Sequence, residues 1–326
     1  MSVVTVQKTF RRKQDILEVI DFSTDIRLEH KPFVATLGFF DGVHIGHRHL
    51  INQVKAEAKR LHLPSAVITF PVHPRKVLQQ DYQPKLLCGY DEKLDALETT
   101  GVDYCVSLPF TPELSRLTAK EFMSAVLKEQ IGVQTLVIGH DHRFGRDREE
   151  GFGQYVAYGK ELGIDVLQAT EFRYNDHDVS SSQIRRLLAE GKITVANKLL
   201  SYNYRLSGKI VEGYQVGRTI GFPTANLQAW EKFKVIPALG VYAVFVRIGN
   251  EIYKGMLYIG KRPTLQHNAE ISVEVNIFDF DDDLYNKSLT VEFIDFIRAD
   301  EKFENMELLI RQIKQDKLTV MERLDN

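Results

Sequence analysis

The first half of the chain alternates short apolar runs with stretches in which apolar side chains recur every three or four residues. Such runs are typical of buried strands, and such spacing is typical of amphipathic helices. The predicted strands are 33–37, 66–70, 104–108, 135–138 and 165–169. The predicted helices lie near 47–61, 91–100, 118–130 and 154–162. This alternation predicts a Rossmann-like α/β layer with a parallel sheet, in which ligands bind beyond the carboxyl ends of the strands.

The pattern changes after about residue 188, where a helix is expected to end and a short linking helix, 195–200, to follow. The predicted strands beyond it are 204–211, 241–248, 251–258, 271–278 and 288–295, and a closing helix is predicted over 304–324. Antiparallel strands joined by glycine turns predict a small β-barrel. We therefore expect two domains, 1–186 and 187–326, which the length of 326 residues also suggests.

Composition narrows the choice of partners and compartment. Lys and Arg number 42 against 44 Asp and Glu, a net charge of −2, so nothing points to nucleic acid or an anionic membrane. The two cysteines show no CxxC spacing, which favours buried free thiols in a reducing cytosol. The chain shows no signal peptide and no run of about 18 apolar residues that could span a bilayer. We expect a cytoplasmic monomer or weak homo-oligomer.

The first candidate site follows strand 33–37, where Gly38 and the Asp41-Gly42 turn lead into His44-Ile45-Gly46-His47 at a helix start. Three-residue spacing lets both imidazoles point into one cleft. Gly46 has no Cβ, so a ligand can approach the backbone, and the free N–H groups of a helix start attract phosphate. The pattern suits a triphosphate. The alternatives are a surface pair or a metal pair. A metal site would need a third ligand, and the adjacent His49 lies about 200° round the helix from His47.

Two more loops leave predicted strand ends, 69–74 and 139–145, and each alone could be an ordinary connection. Residues 180–182 are three serines at a helix start, where they are ordinary caps. Arg185 lies three residues after Ser182, on the same face. Hydroxyls with a guanidinium suit a pyrophosphate, so this helix start is a further candidate.

The second half carries a glycine-rich stretch, 208–227, that ends in Pro-Thr-Ala-Asn. Thr224 and Asn226 offer neutral oxygens, and Mg²⁺ needs only one or two protein ligands beside waters and substrate phosphates. The alternative is a glycine-rich β loop with an Asn turn. Residues 271–277 alternate in polarity, which places Glu274 on the face away from the core. On pattern alone, Glu274 is a solvated carboxylate.

The stretch GFFDGVHIGH resembles the HxGH signature of nucleotidylyltransferases, and more specifically that of the FAD synthetases. The loops 70–74 and 139–145 and the stretch VSSSQIRRL are similar to the other motifs of that group in order and spacing. Residues 208–227, with 240–242 and 260–264, closely resemble the riboflavin kinase signature. From about residue 34 to 303 the chain resembles the bifunctional bacterial riboflavin kinase/FAD synthetases.

The resemblance implies a nucleotidylyltransferase-like first domain and a barrel kinase with a closing helix. It implies ATP, riboflavin and FMN as substrates, Mg²⁺ as cofactor, and two steps that make FMN and then FAD. The implied catalytic residues are His44, His47 and Glu274, with Glu274 as proton acceptor. The implied flavin-binding residues are His73, Pro74 and Asp141, and the implied metal ligands are Thr224 and Asn226. The implied ATP-binding residues are Gly38, Phe39, Gly46, Ser181, Ser182, Arg185, Gly208, Lys209, Gly213, Gly221 and Pro223.

Two positions depart from the family pattern. Val72 replaces a proline thought to touch the flavin, and Tyr258 stands where the family often has Asn. These departures leave open an enzyme with one live activity, or a flavin-binding sensor or storage module. The intact histidine pair and Glu274 argue against a sensor, since binding alone would not need both a phosphate cradle and a base.

Overall fold

The computed structural model describes residues 17–22, 32–79, 81–146, 148–175, 177–212, 220–261, 271–282, 284 and 286–325. The chain divides into two compact units, the first from Met1–Pro84 and Cys88–Ser180 and the second from Lys85–Leu87 and Ser181–Asn326. The predicted domain boundary at 186/187 stays a prediction. Within the described ranges, every helix is too short or too polar to span a lipid bilayer.

The first unit is an α/β layer, as predicted. Its strands are β1 (Glu18–Asp21), β2 (Phe33–Leu37), β3 (Ser65–Thr69), β4 (Tyr104–Ser107), β5 (Val133–Ile138) and β6 (Asp165–Gln168). Its helices are α1 (Ile45–Leu61), α2 (Pro74–Leu78), α3 (Tyr90–Glu98), α4 (Pro112–Arg116), α5 (Ala119–Glu121), which continues as a π-helix over Phe122–Ile131, and α6 (Phe152–Leu162). A small hairpin pairs β7 (Arg173–Tyr174) with β8 (His177–Asp178).

The six strands of the sheet are parallel and lie in the order β1-β4-β3-β2-β5-β6. Every residue of β2 and β3 is buried, because helices cover both faces, and their sequences therefore read as continuous apolar runs. The strand order reverses between β2 and β5, and ligands of such sheets bind at that switch point. The three candidate loops leave the adjacent strands β3, β2 and β5, so the topology gathers them at one edge.

The second unit is a closed antiparallel barrel, also as predicted. Its strands are β9 (Arg205–Val211), β10 (Ala225–Ala229), β11 (Gly240–Ile248), β12 (Glu251–Lys261), β13 (Ile271–Ile277) and β14 (Ser288–Ala299), in the order β10-β13-β12-β11-β14-β9. Its helices are α7 (Ser181–Ala189), α8 (Ile193–Leu200) and the closing helix α9 (Met306–Asp325). Val320 and Leu324 of α9 pack on Val241 and Met256 of the barrel.

Strand β10 is absent from the sequence prediction, which has no strand between 211 and 241. Its residues, Ala-Asn-Leu-Gln-Ala, are mostly poor strand formers, and neighbouring strands supply the pairing. Asn226 lies opposite Val211 of β9 and opposite Glu274 of β13. This pairing brings the Pro-Thr-Ala-Asn stretch beside the strand that carries Glu274.

Candidate active sites

The two histidines of the first candidate site lie against each other at the start of α1. His44 is the N-cap, with φ −66° and ψ 170°, and its Nδ1 accepts a hydrogen bond of 3.4 Å from the backbone N–H of His47. The rings stack with centroids 3.6 Å apart and an angle of 18° between their planes. Because His44 is extended rather than helical, its ring lies over the helix start.

The turn before His44 is strained. Phe40 has a φ of 53° and Val43 a φ of 39°, left-handed values that are uncommon outside glycine. Buried Asp41 helps to hold the turn, since the backbone N–H of Cys88 donates to Asp41 Oδ1 over 3.4 Å. The N–H of Gly42 donates to Cys88 Sγ over 3.1 Å. Strain of this kind is often retained at functional sites.

Gly46 has a packing role that sequence reasoning did not identify. A Cβ at this position would lie 3.3 Å from the His44 ring and 3.4 Å from the carbonyl oxygen of Val179. At 3.3 Å the ring would have to shift by a few tenths of an ångström, so glycine leaves room for the His44 ring. The expectation that Gly46 also lets a ligand approach the backbone stays a prediction.

The electrostatics favour a neutral His47. Burial holds its pKa well below the ordinary 6.5, and the nearby His44, Lys93 and His142 lower it further. Its Nδ1 is buried without a hydrogen-bond partner in the structure. Burial also lowers the pKa of His142, in the loop after β5, to about 4. At neutral pH both rings are therefore uncharged, and each has one N–H donor and one acceptor nitrogen.

The loops after β2 and β3 meet through aromatic rings. His73 caps α2, with its Nδ1 accepting from the N–H of Arg75 over 3.2 Å, and Pro74 is the first residue of that helix. The His73 ring stands edge-on to Phe39, with centroids 4.7 Å apart. The structure thus places a predicted flavin-binding residue against a predicted ATP-binding residue.

The other residues predicted to bind ATP or flavin have varied settings. Asp141 has a side chain that is 98% exposed and lies 3.1 Å from His140 Nδ1. The N–H of Gly38 donates to the carbonyl of Ile68 over 3.0 Å, so it extends the sheet. Ser181 and Ser182 begin α7, which belongs to the second unit. There Arg185 donates to Ser182 Oγ over 2.9 Å, in line with their predicted common face.

The second candidate site is a cavity of about 580 Å³ in the barrel unit, partly covered by α9. Its apolar lining includes Val241, Met256, Phe303, Met306, Leu309 and Ile313. Its polar lining includes Thr224, Tyr258, Glu274, Asn276, Arg298 and Asp300. Glu274 therefore does not lie on a solvated barrel face, because the outer face of β13 lines a cavity under the closing helix.

At the wall of this cavity Glu274 meets Thr224, and Asn226 lies on the neighbouring strand. The Thr224 hydroxyl donates to Glu274 Oε2 over 3.2 Å. Asn226 is directly opposite Glu274 in the barrel and is itself buried. The turn before β10 is held by Asn276, whose Nδ2 donates to the carbonyl of Pro223 over 2.7 Å. The arrangement places the Thr224 hydroxyl and the Glu274 carboxylate side by side on the cavity wall.

The predicted phosphate-binding glycines have varied settings. Gly208 permits close pairing of β9 with β10, because a Cβ there would lie 2.2 Å from the carbonyl oxygen of Gln228. Lys209 is opposite Gln228 in that pairing. Gly221 has a φ of 81°, a left-handed conformation that favours glycine. Gly213 and the motif residues 262–264 lie outside the described residues.

Sequence reasoning missed the contacts that close the cavity. Tyr258 donates to Asp300 Oδ1 over 2.8 Å, and its pKa is raised to about 12, mainly by burial. Arg298 holds buried Asp316 of α9 through Nε and Nη2, at 3.0 and 2.9 Å. Contacts between residues far apart in the sequence leave no periodic pattern, so sequence reasoning could not find them. The departure from the family pattern at position 258 was the one sign of them.

The fold therefore defines a two-unit protein with one candidate ligand site in the α/β layer and another in the barrel. A family model for FAD synthetase matches residues 26–183, and one for riboflavin kinase matches residues 200–324. The bifunctional riboflavin kinase/FMN adenylyltransferase of Escherichia coli K12 is 36% identical over 290 residues, 89% of this chain and 92% of that protein. The Bacillus subtilis protein of the same name is 33% identical over 306 residues, 92% of this chain and 95% of that one.

The chain belongs to the family of bifunctional riboflavin kinase/FMN adenylyltransferases, which confirms the resemblance noted in the sequence. A crystal structure named as a macrolide-efflux protein from Streptococcus pneumoniae is also similar, with a TM-score of 0.84 and 32% identity. The match covers 93% of this chain and 98% of that one. That name belongs to the other protein, and the similarity bears here on the fold.

Proposed function

We propose that the second unit transfers the γ-phosphoryl group of ATP to the 5′-hydroxyl of riboflavin, giving FMN and ADP. We propose that the first unit then joins FMN to a second ATP, giving FAD and pyrophosphate. The observation that carries the proposal is the contact between Thr224 and Glu274, opposite Asn226, on the wall of a cavity large enough for a flavin.

In the kinase step, Glu274 is the proton acceptor. An alcohol is a poor nucleophile, and its proton must leave as the bond from oxygen to the γ-phosphorus forms and the bond to ADP breaks. A carboxylate within hydrogen-bond reach can take that proton. The hydrogen bond from Thr224 orients the Glu274 carboxylate toward β10, where the phosphate-binding turn ends. The apolar lining of the cavity suits the isoalloxazine ring, and its polar lining suits the ribityl chain.

Thr224 and Asn226 fit a Mg²⁺ ion in their chemistry. Both offer neutral oxygens, which are ligands that Mg²⁺ accepts beside waters and phosphate oxygens. Because the Thr224 hydroxyl donates a hydrogen bond to Glu274, its oxygen lone pairs remain available. A bound Mg²⁺ would supply positive charge against the phosphates of ATP. Thr224 and Asn226 would then hold the ion, and Glu274 would take the proton.

In the adenylyl step, a phosphate oxygen of FMN attacks the α-phosphorus of ATP, and the bond to the β-phosphate breaks. No covalent intermediate with the protein is needed, so the work is positioning and charge stabilisation. His44 and His47 are held at the helix start by capping and stacking. Their imidazole N–H groups can donate to the phosphate oxygens on which charge develops.

The remaining aspects of the proposal concern the setting of the protein. Cys88 and Cys105 are buried and free, as suits a reducing compartment. Burial raises the pKa of each thiol to about 12, which keeps both in the unreactive neutral form. We propose a cytoplasmic enzyme, monomeric or weakly associated, without a nucleic-acid or membrane partner.

The test is to incubate the purified protein with riboflavin, ATP and Mg²⁺ and to separate the flavins by chromatography. The proposal predicts FMN followed by FAD. Riboflavin that stays unchanged would refute the kinase assignment, and FMN that accumulates without FAD would leave a single live activity. Bound but unconverted flavin would favour a sensor or storage protein.

A further inference from the structure

Lys93 is a buried lysine beneath the nucleotide-binding edge of the first unit. It lies in α3, and only 1% of the residue is exposed. Lysine is almost never fully buried unless it is paired with an acid. Within the part of the chain that the structure describes, its hydrogen-bond acceptors are a carbonyl and a hydroxyl, and no carboxylate forms an ion pair with it. Such a residue needs an explanation.

The contacts of Lys93 tie together two neighbouring loops. Its Nζ donates to the carbonyl of Phe70 over 3.0 Å and lies 3.4 Å from the Thr69 hydroxyl, at the end of β3. The same Nζ lies 3.9 Å from the centroid of the Phe39 ring, in the loop after β2. Thr69 in turn donates to the carbonyl of Phe39 over 3.2 Å. These loops carry the predicted ATP-binding and flavin-binding residues.

The charge of Lys93 also reaches the histidine stack. Burial lowers its own pKa, while Cys88 and Asp41 act in the opposite direction. Lys93 is one of the groups that lower the pKa of His47. The positive charge of Lys93 therefore raises the electrostatic potential where the phosphates of ATP are proposed to bind.

Fold stability alone does not account for this residue. A buried ion carries a desolvation cost, and replacing buried ions by well-packed apolar side chains is often neutral or stabilising. Methionine would fill nearly the same volume without that cost. Perturbed, desolvated charges beside a ligand site are more often retained for function.

We propose that Lys93 is a positioning residue for adenylyl transfer: acting through Phe39 and Phe70, it fixes the loops after β2 and β3, and its charge offsets that of the bound nucleotide. This inference rests on the proposed function of the first unit. Because Lys93 is covered by protein, it acts without touching the reacting atoms.

The test compares Lys93→Met and Lys93→Gln with the parent protein and with Thr135→Val. Thr135 is buried in the same sheet with a hydroxyl that lacks a hydrogen-bond partner, so its replacement controls for a buried polar change. The assays are FAD formation from supplied FMN, riboflavin phosphorylation, and thermal unfolding. NMR titration follows the pKa of His47. Every variant keeps the parental residues His44 and His142.

We expect Lys93→Met to lower kcat/KM for ATP in FAD formation by about 100-fold, as displaced positioning groups do. Riboflavin phosphorylation and the melting temperature should stay at parental values, and the pKa of His47 should rise. Thr135→Val should resemble the parent in all assays. If Lys93→Met does not fold, Lys93→Gln, which keeps a donor but loses the charge, provides the same comparison.

Parental FAD formation in Lys93→Met would overturn the inference, as would an unchanged pKa of His47. Failure of both variants to fold would also overturn it, by showing that Lys93 serves the fold. A parent protein that makes no FAD from FMN would instead refute the proposed function of the first unit.

Discussion

Replacing Glu274 by Gln is the most informative change in the barrel unit. The substitution keeps the size of the side chain and an oxygen that can accept the 3.2 Å hydrogen bond from Thr224, but removes the base. Loss of a general base typically costs about 10²–10⁴-fold in rate. That factor corresponds to about 3–5 kcal/mol of activation free energy. We expect the rate of FMN formation to fall by about this factor, with KM for riboflavin and for ATP little changed.

The assay is initial-rate FMN formation, measured by chromatography at saturating riboflavin and ATP. Glu292→Gln is the matched control, because it makes the same chemical change on β14, where Glu292 pairs with Arg247 over 3.2 Å. That control should phosphorylate riboflavin at the parental rate. FAD formation from supplied FMN should survive in both variants. If Glu274→Gln phosphorylates riboflavin at the parental rate, the proton has another acceptor and our reasoning is wrong.

Four further predictions follow from the same geometry. His47→Ala should abolish FAD formation and spare riboflavin phosphorylation, and equal loss of both in a folded variant would contradict the two-site assignment. Thr224→Ala and Asn226→Ala should raise the Mg²⁺ concentration for half-maximal FMN formation but not that for FAD formation, as Mg²⁺ titrations would show. The pKa of His142 falls from 6.5 to about 4 on folding, so the unfolded state binds the proton more tightly and stability is lost as pH falls between these values. Urea unfolding at pH 7 and pH 5 measures this loss of unfolding free energy. The loss between the two pH values should be about 2 kcal/mol smaller in His142→Phe than in the parent. A fragment 181–326 should fold and make FMN alone. A fragment starting near 187 should be less stable because it cuts α7. If the longer fragment is inactive, the units depend on each other.

Much of the fold could be predicted because apolar residues recur with a simple spacing in its helices and strands. Strand β2 has its predicted bounds, Phe33–Leu37, since a strand buried on both faces reads as one apolar run. The closing helix begins two residues after its predicted start, at Met306, because helix ends are set by local capping as well as pattern. Strand β10 could not be predicted, because its pairing with β9 and β13 comes from the closed barrel and not from its own composition.

The sites were predictable to the extent that their residues are close in sequence or belong to a family motif. His44 and His47 are three residues apart, and the structure stacks their rings. The contact of Thr224 with Glu274 joins residues fifty positions apart, and only the family resemblance pointed to it. Lys93 was not identified at all, because burial of one lysine in an amphipathic helix depends on the two loops packed above it.

The central claim is that each unit transfers a different phosphorus of ATP, and radiolabelled ATP tests it most directly. With riboflavin as substrate, label on the γ-phosphorus should appear first in FMN and then in FAD. Among the flavins, label on the α-phosphorus should appear in FAD alone, and it should enter FAD even when FMN is supplied in place of riboflavin. Transfer of α-label to FMN, or FAD without α-label, would contradict the account.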